Sequence, residues 1–356
     1  MKIKKTHDIQ LNTEDSIITA APASINELVM LMSSGNVIRY SIDDQKQEHL
    51  FSVKSSFTYE DGGFDISAKS TIYTLDSIVV IVNDYKRHGF IHYPNRYNKL
   101  HLWRKDYHAN ISKYPIALYK DKQGIPHLIY SEDWNHLQIM NLDSRQVLTA
   151  SKSLIEENAE ERHLEFFKKH QEDNKLPWPG PYDYFYGQLK MSPDSNYFLS
   201  SGWVWGSRDA YNMYEVEHFM KDNRIRDIHI GNWEHCNRAA CWIDNTTVAI
   251  AYNPMEDDIE NSHEEIQFYK VESNKSLLDR KVQIEGLNMV NSEIYFNKDV
   301  NVIVLLSEEE GVVLLSLNGE LLLQNKKRNP GTYYPDLNMF IETHEKSILI
   351  HQLTDK

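Results

Sequence analysis

One short pattern recurs along the chain and constrains its fold more than any other feature. Apolar residues alternate over a few positions and a turn-forming residue closes the segment: VIRYSID ending at Asp43, LHLWRKD at Asp106, LQIMNLD at Asp143, YNMYEVE at Glu217, IQFYKVE at Glu272, VVLLSLN at Asn318 and ILIHQLT at Thr354. A period of two is that of a strand, with Leu100 and Leu102, Leu137 and Ile139, Tyr211 and Met213, or Val312 and Leu314 on one face. Each copy is preceded by another apolar stretch, among them ELVMLMS, SIVVIVN, TVAIAYN and VNVIVLLS, so every unit holds two adjacent strands. The closing residues lie 63, 37, 74, 55, 46 and 36 positions apart. Their mean of about 52 is the length of a propeller blade with insertions.

Weaker strands flank these pairs, as in DYFYGQLKMSPDS before one and KQEHLFSV, RQVLTA or ELLLQN after others. With LQIMNLDS and MSPDSNYFLSSG, the chain resembles WD-repeat-like and related bacterial seven-bladed β-propellers over essentially its whole length. The seven strand pairs are read from the residues; the resemblance implies the ring and four antiparallel strands per blade. The expectation is one all-β domain over residues 1–356, a seven-bladed β-propeller with one helical insertion between the third and fourth blades. The Trp-Asp and Gly-His signatures of true WD repeats are absent, Trp103 being followed by Arg104, so the resemblance speaks to architecture and not to activity. The last copy ends at Thr354, which leaves no room for a fourth strand there. Residues 1–10 are therefore expected to supply the outer strand of the last blade, the alternative being a frayed basic tail.

In a four-stranded blade, the turn between the second and third strands shares one end of the ring with the link to the next blade. Extra residues concentrate there: Asn83–Asn98 in the second blade, Ser201–Ala210 in the fourth, Tyr252–Glu265 in the fifth, and the helical and Pro-rich insertion 151–182. Long loops cost little closure entropy and often carry function, so this end is the expected working face. Within the insertion, Ser153 and Glu156 form a capping-box pattern that predicts a helix, with Leu154, Ile155, Ala159, Leu164 and Phe167 as its apolar side. Pro177, Pro179, Gly180 and Pro181 end it and put Trp178, Tyr182 and Tyr184 on a stiff loop.

Charge and motifs narrow the function. With 38 basic against 52 acidic residues the net charge is −14, which disfavours nucleic acid and anionic membranes as partners. The N-terminal residues carry no apolar run of the kind a signal or span needs, which points to the cytoplasm. Cys236 and Cys241 are too few for a disulfide framework and are expected as reduced thiols. His88 and His92 are four apart, but Gly89 and Pro94 oppose the helix that would make them a metal pair. The acidic run from Glu256 to Glu265 lacks calcium-loop spacing. Neither a metal nor a cofactor is expected, since the linear signatures of hydrolases, nucleotide sites and zincins are missing as well.

The segment Gly202–Asn212 is the most informative. Trp203 and Trp205 offer flat indoles, with Arg208 and Asp209 beside them, a combination suited to stacking and bidentate hydrogen bonding. The reading is a binding or interaction module for a protein partner or small-molecule ligand. Its contacts are Trp203, Trp205 and Arg208 first, then Asp209, His92, Tyr97, Trp178 and Tyr182. The alternative is a hydrolase or lyase assembled from several blades, with His92 or Asp209 as acid or base and with or without a metal.

Overall fold

A computed structural model describes residues 1–55, 59–170, 179–234, 238–252, 264–272, 275–289, 291–327 and 331–354, the side chain of Glu234 excepted. Its strands form seven sheets, each of four antiparallel strands. Six follow chain order. The seventh joins the two ends of the chain: Thr332–Tyr334, Met339–Thr343 and Ser347–Thr354 are completed by Lys2–Gln10, with Lys2 opposite Thr354 and Gln10 opposite Ser347. The first strands of blades 1 to 6 touch in succession, that of blade 6 meets the helical turn Pro335–Leu337 of blade 7, and the first strand of blade 1 reaches the second strand of blade 7, which closes the ring.

The period-two alternation explains why these sheets stack. In the second strand of blade 1, Glu27–Met32, Leu28 and Met30 join a core with Ile341 and Ile350 of blade 7. The intervening Val29 and Leu31 join a different core with Val79 and Ile81 of blade 2. Blade 2 repeats the division, its Val80 and Val82 packing on Leu128 and Tyr130 of blade 3. Middle strands are thus covered on both faces and read as nearly unbroken apolar runs, such as IVVIVN at Ile78–Asn83. Each such side chain contributes about 1.5–3 kcal/mol on burial. Outer strands have one neighbour fewer and are far more exposed, as in Lys275–Gln283.

Blade 2 departs from the expected register. Residues 83–98 are not an insertion: His88–Tyr93 is the third strand and Tyr97–Trp103 the fourth. The segment LHLWRKD is therefore an outer strand, and the turn matching Asp43 and Asp143 falls at Pro94–Arg96. The signal was obscured by Gly89, whose missing side chain allows close approach to the second strand, where a Cβ would lie 2.5 Å from Val82 Cγ1. Nor is Ser201–Ala210 a loop. The second and third strands of blade 4, Tyr197–Val204 and Arg208–Glu215, run into a hairpin of three residues. The loop of blade 5 lies largely outside the described residues.

The insertion does contain a helix between the third and fourth blades, over Ala159–Lys169. It starts later than the capping box implied: Asn158 precedes it in a left-handed conformation without a side-chain cap. Ser153 N–H instead donates to Asn223, and Glu156 bridges to Ile225, which ties this stretch to blade 4. Only Ala159 of the helix is buried, whereas Leu164, Phe166 and Phe167 are exposed. Among the described residues no helix is long and apolar enough to cross a membrane.

Candidate functional site

The link from blade 2 to blade 3 begins at Arg104, whose buried side chain organises it. Its guanidinium donates to the carbonyl oxygens of Lys86, Ala109 and Ser112, each at 2.9 Å, and of Asp84 at 3.3 Å, and it lies 4.5 Å from the centre of the Tyr114 ring. Burial draws its pKa down to about 10, so it remains charged at neutral pH. Four carbonyls converging on one cation fold residues 105–112 into a compact turn, with His108 at φ 54°. Lys105 then fastens the turn to blade 3 through its N–H to Glu132 O at 2.9 Å and its ammonium to Asp133 at 2.7 Å.

The hairpin of blade 4 supplies the facing side. Phe185 pairs with Trp203 across a bulge, where Gly187 and Gly202 let the two strands approach. A Cβ on Gly187 would sit 1.9 Å from Ser201 O, and one on Gly202 would sit 2.2 Å from Phe185 O. Phe185 and Trp203 consequently stack with centroids 3.7 Å apart and planes 11° from parallel. Trp134, in the turn between the second and third strands of blade 3, packs on Phe185 at 4.2 Å. The His108 ring stands edge-on to Trp203 and Trp205 at 5.4 and 5.6 Å, and Trp203 Nε1 donates to Ser112 Oγ at 2.8 Å.

Above this stack opens a cleft of about 600 Å³, lined by Tyr107, Trp134 and Trp205 and by Lys105, Asp106, Asp133, Pro181 and Asp183. Trp205 and Tyr107 remain about half exposed, at 51% and 47%. Lys105 neutralises Asp133, whereas Asp106 and Asp183 have no ion-pair partner among the described residues. Desolvation raises the pKa of Asp183, opposed by the backbone N–H of Trp205. The cleft is therefore aromatic with an acidic rim.

Behind it lies an unusual interface between blades 3 and 4. Most of the other blade cores are largely aliphatic, but this one gathers Tyr119, Tyr182, Tyr184, Tyr186 and Tyr214 with Phe198 and Phe219. Tyr182 Oη is 2.6 Å from Tyr214 Oη, donates to Asp227 at 2.9 Å and accepts from Asn212 at 2.8 Å. Tyr184 Oη meets the carbonyl oxygens of Ser200 and Ala210, both at 2.9 Å. These bonds satisfy phenols that burial would otherwise penalise, and they fix the wall beneath the cleft.

The residues singled out in the sequence separate into groups. Trp203 and Trp205 join the aromatic cluster. Arg208 and Asp209 sit across the hairpin from Val204 and Trp203, with Arg208 exposed and neither lining the cleft. Tyr182 is buried in the interface. His92 and Tyr97 flank the opposite turn of blade 2, His92 stacked 5.4 Å from Phe51 with Nδ1 2.6 Å from Asn98 O, and Tyr97 Oη donating to Leu142 O. His92 and Asp209 thus do not converge. Trp178 lies outside the described residues, as does Cys236; Cys241 is a buried free thiol whose pKa burial pushes up to about 12. Among the described residues no group of three or more His, Cys, Asp or Glu side chains is placed to hold a metal ion.

Tyr107, His108, Trp134, Phe185, Asp106 and Asp183 were not foreseen. A usable signal existed, because all but Phe185, which opens the first strand of blade 4, lie in a turn or link at the same end of neighbouring blades, but it needed the correct register of blade 2.

The architecture is that of a seven-bladed β-propeller of WD40-like form. No family model matches the chain, and no curated protein matches it. Among solved structures, the WD40 domain of Neurospora crassa Pan2 is similar, with a TM-score of 0.55 and 8% sequence identity, over 99% of this chain and 96% of that one. At this identity the likeness shows the fold alone.

Proposed function

We propose that the protein is an interaction module that docks a protein partner at the end of the ring carrying the Tyr107, Trp134 and Trp205 cleft. The observation that carries this reading is the combination of half-exposed aromatic rings with an immobile backing. Trp205 and Tyr107 offer apolar area to a partner, while Phe185, Trp203 and the tyrosine interface hold them in place. Anchors fixed beforehand lose little side-chain entropy on binding, which is the usual character of interface hot spots. WD40-type propellers commonly serve as protein-interaction scaffolds, in keeping with this use of the ring end.

The test is site-specific photocrosslinking in cells. A photoreactive residue replaces Arg208, beside the cleft, or Asn318, in a turn at the opposite end of blade 6. A discrete adduct from position 208 that disappears when Trp205→Ala is added supports the reading. Equal adducts from both positions, or an adduct indifferent to Trp205→Ala, overturn it.

A further inference from the structure

We infer that the cleft receives an arginine side chain of the protein partner, a specificity that rests on the docking role above. Three features of the cleft select this chemistry. First, its aromatic walls present π-faces at different inclinations: Tyr107 lies 6.3 Å from Trp205 with planes 59° apart, and 6.0 Å from Trp134 with planes 60° apart. A cation within about 6 Å of such faces is attracted by the ring quadrupoles. Second, the charge is unbalanced. Lys105 is committed to Asp133, which leaves the carboxylates of Asp106 and Asp183 on the rim without a cation among the described residues. An entering positive group therefore pairs with carboxylates and displaces no basic side chain of the protein.

Third, the shape favours guanidinium over ammonium. A planar guanidinium stacks on an indole and still directs its edge donors at a carboxylate, whereas an ammonium is a strongly hydrated point charge that satisfies one demand at the expense of the other. The volume of about 600 Å³ exceeds one side chain, so flanking residues of a peptide segment also fit. Asp183 strengthens the case, because desolvation already penalises its ionised form and a paired cation relieves that penalty.

The experiment titrates the full chain with acetyl-Gly-Arg-Gly-amide and follows tryptophan emission and heat. The comparators carry citrulline, a neutral isostere, or lysine in place of arginine. The expected result is saturable binding of the arginine peptide, with both comparators weaker and citrulline weaker by about tenfold or more. Asp106→Asn with Asp183→Asn should cost a similar factor while leaving the unfolding midpoint in place, and added salt should weaken the arginine peptide more than citrulline. Citrulline or lysine binding as tightly as arginine, no binding of the arginine peptide, or an unchanged affinity in the double Asn variant overturns the inference. Those failures are separable from failure of the docking role, since crosslinking at position 208 that depends on Trp205 would survive them.

Discussion

Replacing Arg104 with Met should cost more than most single substitutions in this protein and should disturb the cleft from a distance. The side chain is 4% exposed and donates four hydrogen bonds to backbone carbonyls, three of them at 2.9 Å. Methionine preserves much of the volume and the contact with Tyr114 but supplies no donor. A hydrogen bond to a charged group contributes about 1.5–3 kcal/mol net, and water entering the loosened turn recovers part of the loss. The expected destabilisation is therefore about 3–5 kcal/mol, the range for a buried charge partner removed. For 356 residues that corresponds to a fall in Tm of about 5 °C. Urea unfolding followed by circular dichroism measures the first quantity. Tryptophan emission in native buffer reads the second effect, because Tyr107 and His108 lie on the turn that Arg104 holds and contact Trp205. Arg104→Lys should fall between, since one ammonium cannot span four carbonyls. A loss below about 1 kcal/mol in Arg104→Met, with unchanged emission, would refute the claim that this guanidinium organises the turn.

Gly202→Ala should destabilise by about 3 kcal/mol or more, because its Cβ would meet backbone at Phe185 O and also the Tyr184 phenol at 2.6 Å; an unchanged urea midpoint would contradict that close approach. Trp203→Phe keeps a ring against Phe185 and loses the bond to Ser112, a cost of about 1 kcal/mol, whereas Trp203→Ala should cost about 3 kcal/mol; equal effects in urea unfolding would show that the stack carries no weight. Glu264 gives a pH test. Its Oε2 is buried without a hydrogen-bond partner among the described residues, and desolvation raises its pKa from 4.5 to about 7, against one backbone bond at Met289. The folded state therefore holds this proton more tightly than the unfolded chain, and the resulting stability is complete below pH 4.5 and lost as pH rises through 7. Glu264→Gln should narrow the drop in Tm between pH 5 and pH 8 (about three units spanning that window), and a variant with the same drop as the wild type would reject the assignment.

The blades were legible because a strand covered on both faces leaves a pattern in few residues: Leu28 and Met30 face one neighbour, Val29 and Leu31 the other. Blade 2 slipped by one strand because Gly89 and the polar turn after Asn83 imitate a loop, while LHLW alternates as well as any third strand. That slip had a functional consequence. It placed Asp106 at a turn on the far end of the ring and so removed Tyr107 and His108 from consideration. Trp203 and Trp205 were legible because they are neighbours in sequence. Their partners at 107, 108, 134 and 185 are brought to them only when three blades assemble around an axis, which no local pattern encodes. Likewise Ser153 and Glu156 match a helix start, but pairing with Asn223 and Ile225 of blade 4 delays the helix to Ala159. Tertiary contacts outweigh a cap contributing about 1 kcal/mol.

The position of the cleft follows from the same competition. A ring of blades joined by aliphatic cores has no reason to favour one junction over another, and its turns are free to differ as long as the cores fill. At blades 3 and 4 the core instead contains a linked polar set, Tyr182, Tyr214, Asn212 and Asp227, whose hydrogen bonds depend on one another. Such a network tolerates little sliding between blades, because displacing one member leaves others buried without partners. The link that carries Pro181 and Asp183 enters this network directly at Tyr182, and Asn135 beside Trp134 donates to Tyr182 O at 2.9 Å. Two walls of the cleft are therefore anchored to this hydrogen-bonded junction, while Arg104 secures the third. Rigidity of that order keeps half-exposed rings at a fixed separation, so the docking proposed above would cost less in ordering at the cleft than at the exposed helix Ala159–Lys169.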